Sequence, residues 1–138
     1  MKIRKATPED LKALLPHAQA AATTFAVEQA AFTKAYVHLL ESDASIILVA
    51  ELEEEIVGYC LGHQHLTFFA NGRSSWLEEI FVQEAYRKTG VGRKLMDAFE
   101  EWAKSHDYKL IALATRRAAA FYKAIGFEES AVYFRKLL

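Results

Sequence analysis

The sequence predicts a mixed α/β fold, a mostly antiparallel central sheet flanked by helices in the order β-α-α-β-β-β-α-β-α-β. Runs rich in strand formers follow one another over residues 45–82 and are joined by turn residues, which is typical of antiparallel hairpins. A strand, a helix and a further strand then follow over residues 76–115, which indicates a crossover unit. The 138 residues are 52% hydrophobic and 25% charged, which predicts one globular domain over 1–138.

The first predicted helix begins after Thr7. Thr7 is expected to be the N-cap, Pro8 occupies the first helical position, and acidic residues fill the first turn. Residues 8–41 are Ala-rich and helical in composition, and they are expected to break near Pro16 and around residues 22–28.

Short strands are predicted on both sides of two turns. An acidic turn at residues 53–55 joins two of them, and Asn71-Gly72 is a hairpin signal before another. Gly58 and Gly62 indicate a bulge or a close approach by another element. The strands predicted up to this point cover residues 2–5, 45–52, 56–65 and 73–82.

The second half predicts two helices, each followed by a strand. Apolar residues at spacings of three and four from Val91 to Trp102 indicate a helix that ends near His106. Residues 108–115 are predicted as a strand. A helix is predicted over 116–125 and is expected to stop at Gly126, a left-handed C-terminal glycine. A final strand is predicted over 127–138, where apolar and polar residues partly alternate.

A glycine-containing turn, Arg-Lys-Thr-Gly-Val-Gly at residues 87–92, lies between a predicted strand and a predicted helix. Such a turn exposes backbone N–H groups beside the positive end of the helix dipole and can bind phosphate. The spacing excludes a Walker A loop, because Gly92 is followed by Arg93-Lys94, and it has too few glycines for the dinucleotide fingerprint. Four cations surround the turn: Arg87, Lys88, Arg93 and Lys94.

The charge distribution favours a small polyanionic ligand. Residues 1–82 carry six Lys or Arg against eleven Asp or Glu, whereas residues 83–138 carry eleven against seven. The net charge of −1 argues against a nucleic-acid partner. The single cysteine, Cys60, and the absence of a long apolar run or an apolar leader predict a cytoplasmic protein with no membrane partner. His63 and His65 have no third ligand nearby, so no metal site is predicted.

The turn resembles the acetyl-CoA-binding signature of the GNAT superfamily of N-acetyltransferases, Arg/Gln-x-x-Gly-x-Gly/Ala. The run 77–82 is similar to the fourth strand of that family, and 121–127 is similar to its later Phe-Tyr-…-Gly-Phe segment. The resemblance implies an enzyme that transfers an acetyl group from acetyl-CoA directly to a primary amine of a small molecule or peptide. The alternatives are a non-catalytic acyl-CoA-binding module with the same fold and a general nucleotide-binding protein.

The resemblance also implies roles for individual residues. Backbone N–H groups of the turn would bind the pyrophosphate, and the backbones of Phe81 and Val82 would bind the pantetheine arm as an added strand. Thr115 occupies a position where many members have Asn, and Arg117 would reach the 3′-phosphate or adenine end. The implied cofactor-binding residues of the turn and helix start are Arg87, Lys88, Thr89, Gly90, Val91, Gly92, Arg93 and Lys94.

Tyr122 is the implied general acid for the departing thiolate, because a phenol is protonated at neutral pH. Glu78 and Glu79 are the candidates for the proton acceptor from the amine. Strict alternation would place only one of them at the cleft, and similarity to polyamine-type members favours Glu78, but a bulge would change this placement. The family's first helices line the acceptor cleft, which makes Glu28, Phe32 and Tyr36 candidates for substrate contact. The acceptor's identity and a homodimer, common in the family, stay open.

Overall fold

The computed structural model describes all 138 residues. Its five-stranded sheet follows chain order, with antiparallel pairs from β1 to β4 and a parallel pair between β4 and β5. The strands are β1 (Lys2–Lys5), β2 (Ser45–Leu52), β3 (Glu55–Thr67), β4 (Gly72–Val82) and β5 (Ile111–Leu113). The helices are α1 (Leu11–Ala21), α2 (Gln29–Glu41), α3 (Val91–Ser105) and α4 (Ala119–Ala124). The predicted mixed α/β fold is confirmed.

The two faces of the sheet pack against different helices. One face packs against α3 and α4, where Leu95 and Phe99 of α3 are fully buried. The other face packs against α1 and α2, where Val49 of β2 is fully buried beside Leu14 of α1. Because side chains alternate along a strand, each central strand contributes to both cores.

A charged cluster joins β1 to the start of α1. Asp10 accepts two hydrogen bonds from the Arg4 guanidinium, at 2.7 and 2.9 Å, and a third from the Thr7 backbone N–H at 2.8 Å. Arg4 also donates to Glu51 of β2 at 3.0 Å. Thr7 and Asp10 form a capping box around a short 3₁₀ turn, which confirms the predicted N-cap.

We expect Asp10→Asn to lower the free energy of unfolding by about 2 kcal/mol at pH 7, because hydrogen bonds to a charged group are strong. The Arg4 guanidinium, followed by the Thr7 backbone N–H, holds the pKa of Asp10 below its usual range against the opposing effect of burial. A carboxyl whose pKa is lowered by folding stabilises the protein above its unfolded pKa, and this stabilisation disappears as the pH falls through the folded pKa. The difference between wild type and variant in urea unfolding should therefore shrink below about pH 4. A difference that does not change with pH would contradict this role.

Helix α1 runs through Pro16, so the break predicted there is wrong. Proline removes one N–H donor from the helix, but Leu14 and Ala18 on either side of it are buried in the core and hold the segment in place. The break predicted around residues 22–28 is confirmed, because this segment separates α1 from α2.

The two predicted hairpins are confirmed. Glu53 and Glu54, which connect β2 to β3, have φ of 50° and 67°, values of the kind a two-residue hairpin loop needs at both positions. Thr67 pairs with Gly72 across the second hairpin, and Asn71 at the end of its loop has a φ of 54°.

Gly62 marks both a bulge and a close approach. Gly62 pairs with Leu77 and the preceding Leu61 pairs with Glu79, so Glu78 is left without a partner in β3. A Cβ on Gly62 would lie 2.1 Å from the Phe99 ring, so α3 packs directly on the strand backbone at this position.

The second half of the chain is less regular than predicted. Strand β5 is shorter than the predicted 108–115, and α4 begins three residues after the predicted start. Gly126 follows α4 with a φ of 102°, as predicted. The prediction of a final strand over 127–138 is wrong. Residues 128–138 belong to no helix or strand and make no backbone–backbone hydrogen bond, so the alternating pattern has no neighbouring strand to pair with. No helix has the length and apolar character needed to cross a membrane.

Candidate active site

The turn before α3 presents a row of free backbone donors. Lys88 and Gly90 both have φ in the left-handed region, at 63° and 93°. The first hydrogen bond of α3 runs from the Lys94 N–H to the Gly90 carbonyl at 3.1 Å. The N–H groups of residues 88–90 donate to no backbone carbonyl, and those of residues 91–93 precede the first helical hydrogen bond. This geometry, together with the helix dipole, fits a pyrophosphate.

Positive charge is concentrated at this turn. Arg87 donates from Nε to the Val82 carbonyl at 2.8 Å, and its guanidinium carbon lies 5.4 Å from the centre of the Phe81 ring. The Arg87 side chain therefore ties the turn to the end of β4. Thr89 closes the turn by donating from its hydroxyl to the Tyr86 carbonyl. The other cations are exposed and make no ion pair: Lys88, Arg93 and Lys94.

A gap opens between β4 and β5 next to the turn. Their parallel pairing covers only three residues of each strand and ends at Leu77 and Leu113. Beyond Leu77, β4 keeps its pairing with β3 up to Val82, whereas its other edge pairs with no strand and only the Val82 carbonyl is bonded there, by Arg87. A free strand edge can accept an extended ligand by backbone hydrogen bonding, as the resemblance implies for Phe81 and Val82.

Tyr122 of α4 lies on the α3 side of the sheet. It is 7% exposed and lies between the rings of Phe121 and Phe127, whose centres are 5.1 and 5.7 Å away in edge-on arrangements. Burial, followed by the nearby Cys60, raises the pKa of Tyr122, so its hydroxyl is protonated at neutral pH. That hydroxyl has no hydrogen-bond partner within the protein and is not fully enclosed.

The two glutamates of β4 have different surroundings. Glu79 accepts a hydrogen bond from the Tyr59 hydroxyl at 2.7 Å, on the side of the sheet that faces α1 and α2. Glu78 is the bulged residue, is exposed, and makes no ion pair. The bulge interrupts the alternation that would place two adjacent side chains on opposite faces.

The segment between β5 and α4 carries the two remaining cofactor-side candidates. The Thr115 hydroxyl accepts a hydrogen bond from the Ala118 N–H at 3.0 Å, which closes a turn and explains why α4 begins later than predicted. Arg117 is exposed and makes no ion pair.

The acceptor-side candidates are dispersed. Glu28 is exposed at the start of α2. Phe32 is half-buried, and its ring stacks on Tyr36 with a centre separation of 5.7 Å. Tyr36 is 2% exposed and donates to the Thr7 carbonyl at 2.6 Å. Burial raises the pKa of Tyr36 to about 12, so this residue belongs to the core and its placement does not support substrate contact.

Sequence reasoning missed two side chains beside the site. Tyr59 of β3 bonds Glu79, and His17 of α1 lies within 2.9 Å of the Ile56 carbonyl through Nε2. The His17 ring centre is 5.8 Å from that of Phe81. Neither residue belongs to a motif, and both approach β4 only through sheet pairing and helix packing, which no local pattern reveals.

Comparisons with known proteins identify the family of this chain. The sequence matches the Acetyltransferase (GNAT) family over residues 12–127. It is 29% identical over 106 residues to an aminoglycoside N(6')-acetyltransferase type 1 of Stenotrophomonas maltophilia, covering 70% of this chain and 69% of that protein. It is also 30% identical over 94 residues to the uncharacterized N-acetyltransferase YhfO of Bacillus subtilis strain 168, covering 65% of this chain and 63% of the relative.

A solved structure shows the same fold across the whole chain. The crystal structure of a transcriptional regulator from Bacillus halodurans C-125 superposes with a TM-score of 0.89 at 24% identity, covering 99% of both chains. The family match over residues 12–127 covers most of the chain. The chain belongs to the GNAT acetyltransferase family and is an N-acetyltransferase that uses acetyl-CoA.

Proposed function

We propose that the protein transfers the acetyl group of acetyl-CoA to a primary amine of a small molecule or peptide, by direct attack within a ternary complex. The observation that carries this proposal is the continuity between the free N–H groups of residues 88–93 and the free edge of β4. The N–H groups can bind the pyrophosphate, and the edge of β4 can bind the extended pantetheine arm. Together they would direct the thioester towards Glu78, Glu79 and Tyr122.

Binding is assigned to the turn and to the two elements beside it. The turn's N–H groups bind phosphate oxygens, and Lys88, Arg93 and Lys94 add charge that no internal carboxylate neutralises. Phe81 and Val82 orient the arm through their backbone. Thr115 retains a hydroxyl proton for a contact, and Arg117 supplies a cation at the far end of the site.

Proton transfer is assigned to residues on both sides of the gap. When bound, acetyl-CoA supplies an activated acetyl group as a thioester. Glu78 takes the proton that the amine must lose before its lone pair can attack. Tyr122 gives its hydroxyl proton to the sulfur as the carbon–sulfur bond breaks and the carbon–nitrogen bond forms. The nitrogen then gives its second proton back to Tyr122, and Glu78 releases its proton to solvent, so the products are an amide, a free thiol and one proton.

Thiol release from acetyl-CoA provides the test of this function. We expect at least one amine in a panel of polyamines, aminoglycosides, amino acids and peptides to accelerate release. The aminoglycosides are included because one relative is an aminoglycoside N(6')-acetyltransferase. If no amine accelerates release, the proposed transfer is wrong. In a parallel thermal-shift titration, acetyl-CoA should raise the Tm and ATP should not, because only a specific ligand stabilises the folded state strongly.

A further inference from the structure

The Tyr59 hydroxyl belongs to a buried side chain but bonds a side chain at the surface. Tyr59 is 5% exposed, and its hydroxyl donates to the exposed carboxylate of Glu79 at 2.7 Å. Tyr36, buried in the same core, instead donates to a backbone carbonyl. A backbone carbonyl is therefore sufficient as a hydrogen-bond acceptor for a buried tyrosine hydroxyl in this core. The Tyr59 hydroxyl instead fixes the position of a charged side chain at the surface.

We propose that Tyr59 is a positioning residue that holds the Glu79 carboxylate as an anchor for a second positive charge of the acceptor. The acceptor is then a polycation, with at least one ammonium group besides the amine that is acetylated. This inference rests on the proposed function, since it assigns a substrate class to the same site.

The two glutamates suit different tasks. The Glu79 carboxylate is held in place by the hydrogen bond from the buried Tyr59 hydroxyl, which suits a fixed anchor. Glu78 is exposed and has no ion pair and no hydrogen-bond donor within the protein, so its carboxylate is not held by another side chain. The bulge supports this division of roles, because it breaks the alternation that would keep the adjacent side chains apart.

The position of Glu79 also fits an anchor. It is the second residue beyond Leu77, where the pairing of β4 with β5 ends, and it lies two residues before Phe81. Glu78 and Glu79 are consecutive residues whose Cα atoms are about 3.8 Å apart, so the proposal places both carboxylates within the span of one small molecule. The excess of acidic residues over residues 1–82 is of the sign that attracts a polycation.

Steady-state kinetics of Tyr59→Phe test the anchor directly. For the polycations spermidine and kanamycin, we expect KM to rise about ten-fold with kcat within about three-fold, as expected for a lost hydrogen bond to a charged group. KM for the monoamine 2-phenylethylamine should not change. Glu79→Gln should show the same pattern, and the double variant should be no worse than Glu79→Gln alone, because both changes remove one interaction. Glu78→Gln should instead lower kcat.

Tyr36→Phe is the matched control, because it removes a buried hydroxyl from the same core without touching a carboxylate. It is expected to lower the Tm and leave KM unchanged. Calorimetric titration of spermidine and kanamycin into the CoA-loaded protein gives a readout that needs no turnover. If wild type binds neither polycation, or if Tyr59→Phe leaves both affinity and KM within two-fold, the inference is wrong. Polycation binding that depends on Tyr59 without any thiol release would support the anchor and contradict the proposed transfer.

Discussion

Replacing Tyr122 with Phe is expected to lower kcat by about 10²–10³-fold while the affinity for acetyl-CoA stays within two-fold. General acid catalysis contributes about this much, and the phenol hydroxyl is the only group that the substitution removes. The ring keeps its place between Phe121 and Phe127, so the core should be preserved. Stopped-flow or steady-state thiol release measures kcat, and calorimetric titration measures the affinity.

Tyr108→Phe is the control for this experiment. This substitution also removes a tyrosine hydroxyl, which in the wild type donates to Gln64 at 2.9 Å. Gln64 pairs with Ser75 of β4, on the opposite side of the bulge from Val82, so Tyr108 lies away from the proposed site. It should therefore leave kcat unchanged. If Tyr122→Phe retains more than a third of the wild-type kcat, Tyr122 is not the acid, and a non-catalytic role for its hydroxyl would follow.

Gly62→Ala is expected to lower the free energy of unfolding by about 3 kcal/mol, at the upper end of the usual cost of overpacking a core. The new methyl group would lie 2.1 Å from one carbon of the Phe99 ring and 2.5 Å from another. Phe99 is fully buried, so its ring has little room to move away. Urea unfolding at pH 7, followed by circular dichroism, measures the loss.

The double variant Gly62→Ala with Phe99→Leu separates a local clash from a general defect of the strand. Phe99→Leu alone creates a cavity, but it also removes the carbon atoms that the new methyl group would meet. The double variant should therefore lose less free energy of unfolding than the sum of the losses in the two single variants. Additive losses, or a loss below 1 kcal/mol in Gly62→Ala alone, would show that α3 does not pack on this backbone as described.

The features predicted from sequence are those that depend on short stretches of chain. The turn at residues 87–92 was found because glycine spacing, nearby cations and the start of a helix all lie within a few residues. Thr7 and Gly126 were placed correctly because caps are local structures. Gly62 indicated a bulge or a close approach, and the structure shows both.

The features that sequence reasoning missed depend on distant parts of the chain. Tyr59 and Glu79 are 20 residues apart and meet only through strand pairing. Pro16 is held in a helix by the burial of its neighbours, which overrides its local preference. The prediction of a strand over 127–138 is wrong because an alternating pattern describes a single segment and does not show whether a neighbouring strand is present to pair with it.

The free edge of β4 also exposes the protein to a risk of self-association. A strand with unpaired N–H and C=O groups is a template on which another chain can add, and such edges lead to aggregation. Charged side chains along an edge discourage this pairing, and Glu78 and Glu79 stand where the free edge begins. Arg87, hydrogen-bonded to the Val82 carbonyl, covers one acceptor at its other end. The side chains assigned to the acceptor therefore also help to keep separate molecules from joining through their sheets.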